Sequence, residues 1–271
     1  MMKTRATAIP YLLWMVIFIL VPLLLVAYYA VTTPDGAFTI DYISQVGEYT
    51  PVLVRSVWLA FIATVLCLLI AYPLAFIISR KSGSGQRTMV MLVMLPMWMN
   101  FLLRTYAWMT ILEKNGLINR FLAQFGIGPL EMINTQGAVV LGMVYNYLPF
   151  MILPLYSVMT KIPNALIEAA QDLGCNGVQV LIRVLLPLTL PGISTGIIQV
   201  FVPSVSTFII SRMLGGGGNL LIGDLIDLQF LGNAYNPNLG AAISLVLMVM
   251  ILLCMSITNQ FGDEEKGEML K

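Results

Sequence analysis

Two glycine-bearing stretches look ready to hold a phosphate, "GSGQRT" at residues 83–88 and "GGGGN" at 215–219. Neither leads into the lysine–hydroxyl pair that a phosphate cradle sets against phosphate and Mg²⁺, and the second reads as a flexible turn. The chain has no histidine, which removes His-based metal sites and His-based acid–base pairs. Cys67, Cys175 and Cys254 form no CxxC pair and read as small apolar fillers. No acid interrupts a long apolar run, so paired intramembrane carboxylates are missing too. By itself this chain is not a catalyst.

What remains is binding chemistry, carried by polar and aromatic groups set in apolar sequence. Asn100, Arg104 and Trp108 recur four residues apart on one helical face, beginning near Pro96. Gly192, Thr195, Gln199 and Ser206 fall within about 60° of arc at 100° per residue, with Pro203 between the last two. Tyr145, Asn146 and Tyr147 stand beside Pro149 in "YNYLPF". Aromatic faces such as Trp98, Trp108, Tyr145 and Tyr147 attract ammonium groups by about 0.5–2 kcal/mol each. Each set has a plainer reading. The aromatics could be core or interface residues, Arg104 could bridge to a neighbouring span, and Gly192 with Gly196 could form a packing GxxxG.

The elements that must position these groups follow from composition. Of 271 residues, 59% are hydrophobic and 10% charged, too few charges to coat a water-facing surface. A net charge of +1 leaves no basic face for nucleic acid. Six stretches are long enough to cross a bilayer as helices, about 11–31, 56–79, 89–112, 137–160, 191–213 and 240–259. The first reads as a retained span, because no cleavage site follows it. With both termini inside, the inner segments carry nine of the fourteen basic residues and the outer segments four. That bias places both termini in the cytoplasm. The tail 260–271 reads as disordered. No internal repeat or repeated filter sequence points to an inverted-repeat carrier or a channel.

One inner segment, 161–190, is amphipathic. "IPNALIEAAQDLG" predicts a short helix with Asn164 as N-cap and Gly174 as stop. Leu166, Ala169, Ala170 and Leu173 form its apolar face, and Glu168 and Asp172 lie one turn apart. "GVQVLIRVLLPLTLPG" predicts a second helical run broken by Pro187 and Pro191. The first helix could rest on headgroups, but an Ala/Leu strip with two acids suits a groove on another protein better than a membrane surface.

These residues also carry a resemblance. "EAAQDLGCNGVQVLIRVLLP" resembles the EAA loop of binding-protein-dependent ABC importers at Glu168, Ala169, Ala170, Gly174, Val184, Leu186 and Pro187. Isoleucine is usual in the family where Val184 stands. "LPFMILPLYS", "LGGGGNLLIGDLIDLQFL" and "RTYAWMTILEKNGLIN" resemble permease subunits of spermidine/putrescine importers. The resemblance implies an all-α membrane protein, one transmembrane permease domain over 1–271, with six transmembrane helices in the type I ABC importer permease fold. It implies a coupling helix between spans 4 and 5, seated on a cytosolic ATPase subunit, with Glu168 supplying charge and Gly174 the sharp turn. ATP and Mg²⁺ would then sit on two partner ATPases, with no cofactor on this chain. A second, similar permease and an extracytoplasmic binding protein complete the assembly, in the bacterial plasma membrane. In the family the span after the coupling loop lines the passage, which points to Gln199 and Ser206. A cation passage wants carboxylates, and those near the outer mouth are Asp224 and Asp227. Alternatives stay open: another small solute, including an anion held by Arg104, or a scaffold with no passage.

Overall fold

The computed structural model describes residues 10–232 and 235–268, with side chains to 258. The basic N-terminal residues Lys3 and Arg5 therefore lie outside the described residues. Helices account for most of it: α1 (Pro10–Ala30), α2 (Asp41–Gln45), α3 (Thr50–Ser79), α4 (Gly83–Trp98), α5 (Phe101–Leu112), α6 (Leu117–Ala123), α7 (Gln136–Met159), α8 (Asn164–Asp172), α9 (Gly177–Val205), α10 (Ile209–Gly215), α11 (Ile222–Leu231) and α12 (Pro237–Glu268). Outside helices, the one bridge among the described residues joins Thr32 and Phe38. Five helices are long and apolar enough to cross a membrane, and the pair α4 and α5–α6, bent by 88°, makes a sixth when taken as one broken span. The chain divides into two compact units, Met1–Leu53 with Leu225–Leu252, and Val54–Asp224 with Leu253–Lys271.

In the first unit, α1 is apolar all round. Tyr11, Leu13, Phe18 and Leu24 are each more than half exposed, as expected of a helix whose solvent is hydrocarbon. Its last carbonyls need donors. The Asn238 side-chain amide supplies one, donating to Tyr29 O at 3.1 Å, and also bonds Thr32 O just past the helix end at 2.6 Å.

The second unit is organised around α7. A strict four-residue stripe on α3, Leu59, Ala63, Cys67, Ala71 and Ala75, is almost wholly buried and packs in the same clusters as Val139, Met143, Met151 and Leu155 of α7. Small residues let two membrane helices approach closely, and dispersion contacts replace the missing hydrophobic drive. Cys67 fills this role as the sequence suggests. On the other side, α9 meets α7 through Gly192 and Gly196. A Cβ on Gly192 would stand 3.1 Å from Pro154 O and from Val158 Cγ2, and one on Gly196 would stand 2.6 Å from Met151 Sδ. The GxxxG reading of this pair is therefore the structural one.

Several sequence expectations are corrected. Pro187 and Pro191 do not break the chain: α9 runs unbroken from Gly177, so the fifth span is Gly177–Val205 and not 191–213. The helix accommodates Pro187 with a wide π-turn over Leu181–Leu185, in which Leu186 N–H bonds Leu181 O. The same device precedes Pro22 in α1, with a π-turn over Val16–Leu20 and Val21 N–H on Val16 O. A proline has no N–H and its ring crowds the carbonyl four residues back, and an i→i−5 turn just before it shifts the ladder where that crowding falls. The tail also differs, because α12 continues as helix to Glu268; Glu and Lys extend an already nucleated helix easily. Finally, "GGGGN" is not a free turn. Gly216 (φ +55°) abuts the Asn134 side chain, and Asn219 Nδ2 donates to Gly215 O at 3.1 Å and Asn134 O at 3.0 Å.

The α7–α9 contact predicts a selective cost. Gly192→Val should destabilise the detergent-solubilised protein by about 1–3 kcal/mol through overpacking. Gly85→Ala, where a Cβ would meet nothing within 4 Å, should be neutral or mildly stabilising in the same thermal unfolding assay.

Candidate functional site

The amphipathic segment forms a helix with two working faces. α8 starts at Asn164 with Pro163, not Asn164, in the N-cap position. It ends in a full Schellman stop, with Gly174 N–H on Gln171 O at 2.8 Å and Cys175 N–H on Ala170 O at 3.0 Å. Gly174 sits at φ +85°, a backbone conformation that any side chain would strain. The next helix starts at once, through a reciprocal capping box between Asn176 and Gln179.

The inward face of α8 is narrower than the sequence suggests. Ala170 is buried in a small core with Ile162, Val180 and Leu185, against which Phe76, Ile167, Cys175 and Val184 pack. Leu166 and Ala169 are exposed, and Leu173 is 87% exposed. The expected strip is thus split: Ala170 holds the helix to the protein while Leu166, Ala169 and Leu173 face away. Glu168 and Asp172 are exposed as well, so the outward surface is apolar patches with two acids. Leu186 is exposed and Pro187 half-buried on α9.

Arg80, which entered the sequence reading only as a charge count, grips the root of this helix. Its Nη1 donates to Ile162 O at 3.0 Å and to the Asn164 side-chain carbonyl, and Nη2 donates to Met159 O at 3.3 Å. Partial burial pushes its pKa down from the ordinary value, yet a guanidinium stays charged in proteins. The signal that could have found it is its place, one residue past a long apolar helix and able to cap a helix C-terminus.

The passage candidates separate. The third span bends before Asn100, so Asn100, Arg104 and Trp108 all belong to α5, Asn100 at its N-cap and the other two one and two turns further on. Asn100 caps α5, its Oδ1 accepting Leu102 N–H at 2.9 Å and Leu103 N–H at 3.4 Å; asparagine is a preferred N-cap, and here it starts the new direction. Trp98, before the break, is exposed. Trp108 and Tyr145 come together edge to face, centroids 5.4 Å apart. Arg104 is 8% exposed, its Nε and Nη1 without hydrogen-bond partners among the described residues and its cation 5.9 Å from the Phe101 ring centroid. Asn146 is buried, donating to Gly142 O at 2.9 Å, and Tyr147 donates to Pro203 O at 3.4 Å.

On α9, Thr195 and Gln199 are exposed while Gly192 and Gly196 are buried. Ser206 lies past the helix end, and its Oγ donates back to Val202 O at 3.1 Å. Asp224 is not at an open mouth. It is 0% exposed, accepts Leu221 N–H at 2.9 Å and stands 3.9 Å from Arg212 Nε. Ser56 accepts the neighbouring Ile222 N–H at 2.8 Å, a second N-terminal cap for α11 that the sequence reading missed. A groove of about 660 Å³ lies elsewhere, lined by Leu69, Tyr72, Phe76, Ile167, Val180 and Leu185 among others. With no charge in that lining, it suits a helix or acyl chain better than a cation.

No family model matches the chain. Over 250 residues it is 40% identical to the spermidine/putrescine transport system permease protein PotB of Haemophilus influenzae, covering 89% of this chain and 87% of that protein. It is 36% identical over 254 residues to the protein of the same name from Escherichia coli, covering 90% and 92%. Among solved structures it is similar to a bacterial ABC transporter involved in the import of the acidic polysaccharide alginate, with a TM-score of 0.76 at 18% identity over 97% of this chain and 95% of that one. That likeness carries the fold, which is the type I importer permease fold.

The placement of Asp224 predicts an unequal pair of losses. Asp224→Ala should cost about 2 kcal/mol, because it strips a buried backbone N–H of its acceptor. Arg212→Ala, with a half-exposed side chain, should cost under about 1 kcal/mol. Thermal unfolding of both variants in detergent measures the difference.

Proposed function

The chain belongs to the spermidine/putrescine transport permeases of bacterial ABC importers, and from that premise we propose that it forms one half of a passage for these polyamines. In this reading it is a multi-pass protein of the bacterial plasma membrane with both termini in the cytoplasm. A second, similar permease supplies the other half, and an extracytoplasmic binding protein delivers the cargo. Two cytosolic ATPases hold ATP and Mg²⁺; no nucleic acid takes part.

The observation that carries the coupling role is the outward face of α8. Leu166 and Leu173 are exposed beside Glu168 and Asp172, on a helix stopped by a Schellman turn and anchored through Ala170. A cleft on an ATPase subunit can take the leucines and meet the acids with basic groups. Closure of the ATPases on ATP then displaces α8 as a rigid piece. Because Gly177–Val205 is one helix, the displacement passes from the α8–α9 corner into the span that carries Gln199.

For the cargo, Trp108 and Tyr145 offer paired aromatic surfaces for ammonium groups. Tyr147 and Gln199 offer polar contacts on the neighbouring helices. Asp224 is engaged within the fold, so the carboxylates of a cation passage come from the second permease. A second reading keeps the machine and changes the cargo to an anion. Its support is Arg104, buried with two nitrogens that find no hydrogen-bond acceptor among the described residues.

The test is uptake of radiolabelled spermidine into proteoliposomes holding the whole importer with ATP on the ATPase side. Glu168→Lys should insert normally and abolish uptake by weakening ATPase association; normal uptake with full association would remove the coupling role. Gln199→Leu should lower uptake several-fold, about 1 kcal/mol of lost polar contact, while ATPase association stays normal. ATP-driven accumulation of an anion in place of spermidine would move the assignment to the second reading.

A further inference from the structure

The corner between α7 and α8 is held from outside its own stretch of chain. α7 ends at Met159 and leaves carbonyls without helical partners. Two acceptors there, Met159 O and Ile162 O, are taken by the guanidinium of Arg80, which also binds the side chain of Asn164, the first residue of α8. Arg80 directly follows α3, and its cation lies 5.2 Å from the Phe76 ring centroid, one turn back on that helix. Phe76 in turn packs against the small core that contains Ala170 of α8. One helix end therefore holds α8 twice, by an apolar contact on its inner face and by a forked cation at its root. A lysine could not reproduce the second hold, since an ammonium lacks the planar fork that spans several acceptors.

We propose that Arg80 is a positioning residue for energy coupling, joining the end of α3 to the α7–α8 corner so that a displacement of α8 is delivered to two spans, α3 and α9, together. This inference rests on α8 being the segment that docks the ATPase. Without Arg80, α8 remains joined to α9 through the chain itself, while the polar hold on α3 is gone. The Tyr72–Thr189 hydrogen bond at 3.1 Å would still tie α3 to α9, but the end of α3 would have no side-chain hydrogen bond to the α7–α8 corner.

The experiment uses the assembled importer in proteoliposomes and reads three quantities: ATPase association, basal ATP hydrolysis, and the stimulation of hydrolysis and spermidine uptake by the loaded binding protein. Arg80→Ala should keep association and basal hydrolysis and lose about tenfold or more in stimulated uptake, the size of a coupling interaction. Arg80→Lys should recover part of the loss. Asn164→Ala, which leaves the guanidinium and removes one acceptor, should give a smaller loss and add nothing on top of Arg80→Ala, as expected of groups acting as one unit. Full stimulated uptake in Arg80→Ala, with Glu168→Lys inactive, overturns the proposal and leaves the docking role of α8 standing. Full uptake in Glu168→Lys removes the docking role, and the proposal with it. If Arg80→Ala is depleted from the membrane, Asn164→Ala decides: unchanged stimulation makes Arg80 a stability clamp only, and reduced stimulation at normal protein level supports the coupling role.

Discussion

A backbone carbonyl or N–H in hydrocarbon has no water to turn to, and each one left unpaired costs several kcal/mol. Nearly every irregular feature of this chain answers that constraint. The two π-turns sit immediately before Pro22 and Pro187, where the helical ladder is about to lose a donor. The third span breaks where Asn100 can cap the new helix. The fifth ends where the Ser206 hydroxyl and backbone N–H both return to Val202 O. Asn219, Asn238 and Asp224 each close a helix end. Polar side chains in this protein are spent first on the backbone and only then on anything else.

That priority explains which parts of the site were legible in the sequence. The six spans were, because apolar length is a strong signal and lipid forces it into helices. The short helix α8 was legible through its amphipathic pattern and its Gly174 stop. The passage was read less well. Asn100, Ser206 and Asp224 looked like cargo ligands because a polar residue in an apolar run normally marks a wet path. Capping satisfies the same sequence pattern, and nothing local separates the two uses. Arg80 was hidden for the opposite reason: a basic residue at a span's end is expected on orientation grounds alone, so its three acceptors, 79 to 84 residues downstream, had no trace in the local sequence.

The division of labour within α8 shows how little sequence is needed to do two jobs. Ala169 and Ala170 are adjacent, and one faces out while the other is buried in the Ile162–Val180–Leu185 core. Small side chains suit both places, since they permit close packing inward and a shallow, groove-compatible relief outward. The exposed Leu166 and Leu173 would be a liability on a free surface in water. Beside Glu168 and Asp172 they form the face that the proposed docking would cover.

The wide turn at Leu181–Leu185 carries a further meaning beyond sparing Pro187. A turn closed by an i→i−5 bond holds one residue more than an α-turn, and one residue is worth about 100° of helical rotation. Everything on the N-terminal side of that turn, including the corner from which α8 departs, is therefore phased differently against the spanning part of α9 than a regular helix would phase it. The compass bearing of α8 is set by a single surplus residue within the turn that precedes Pro187.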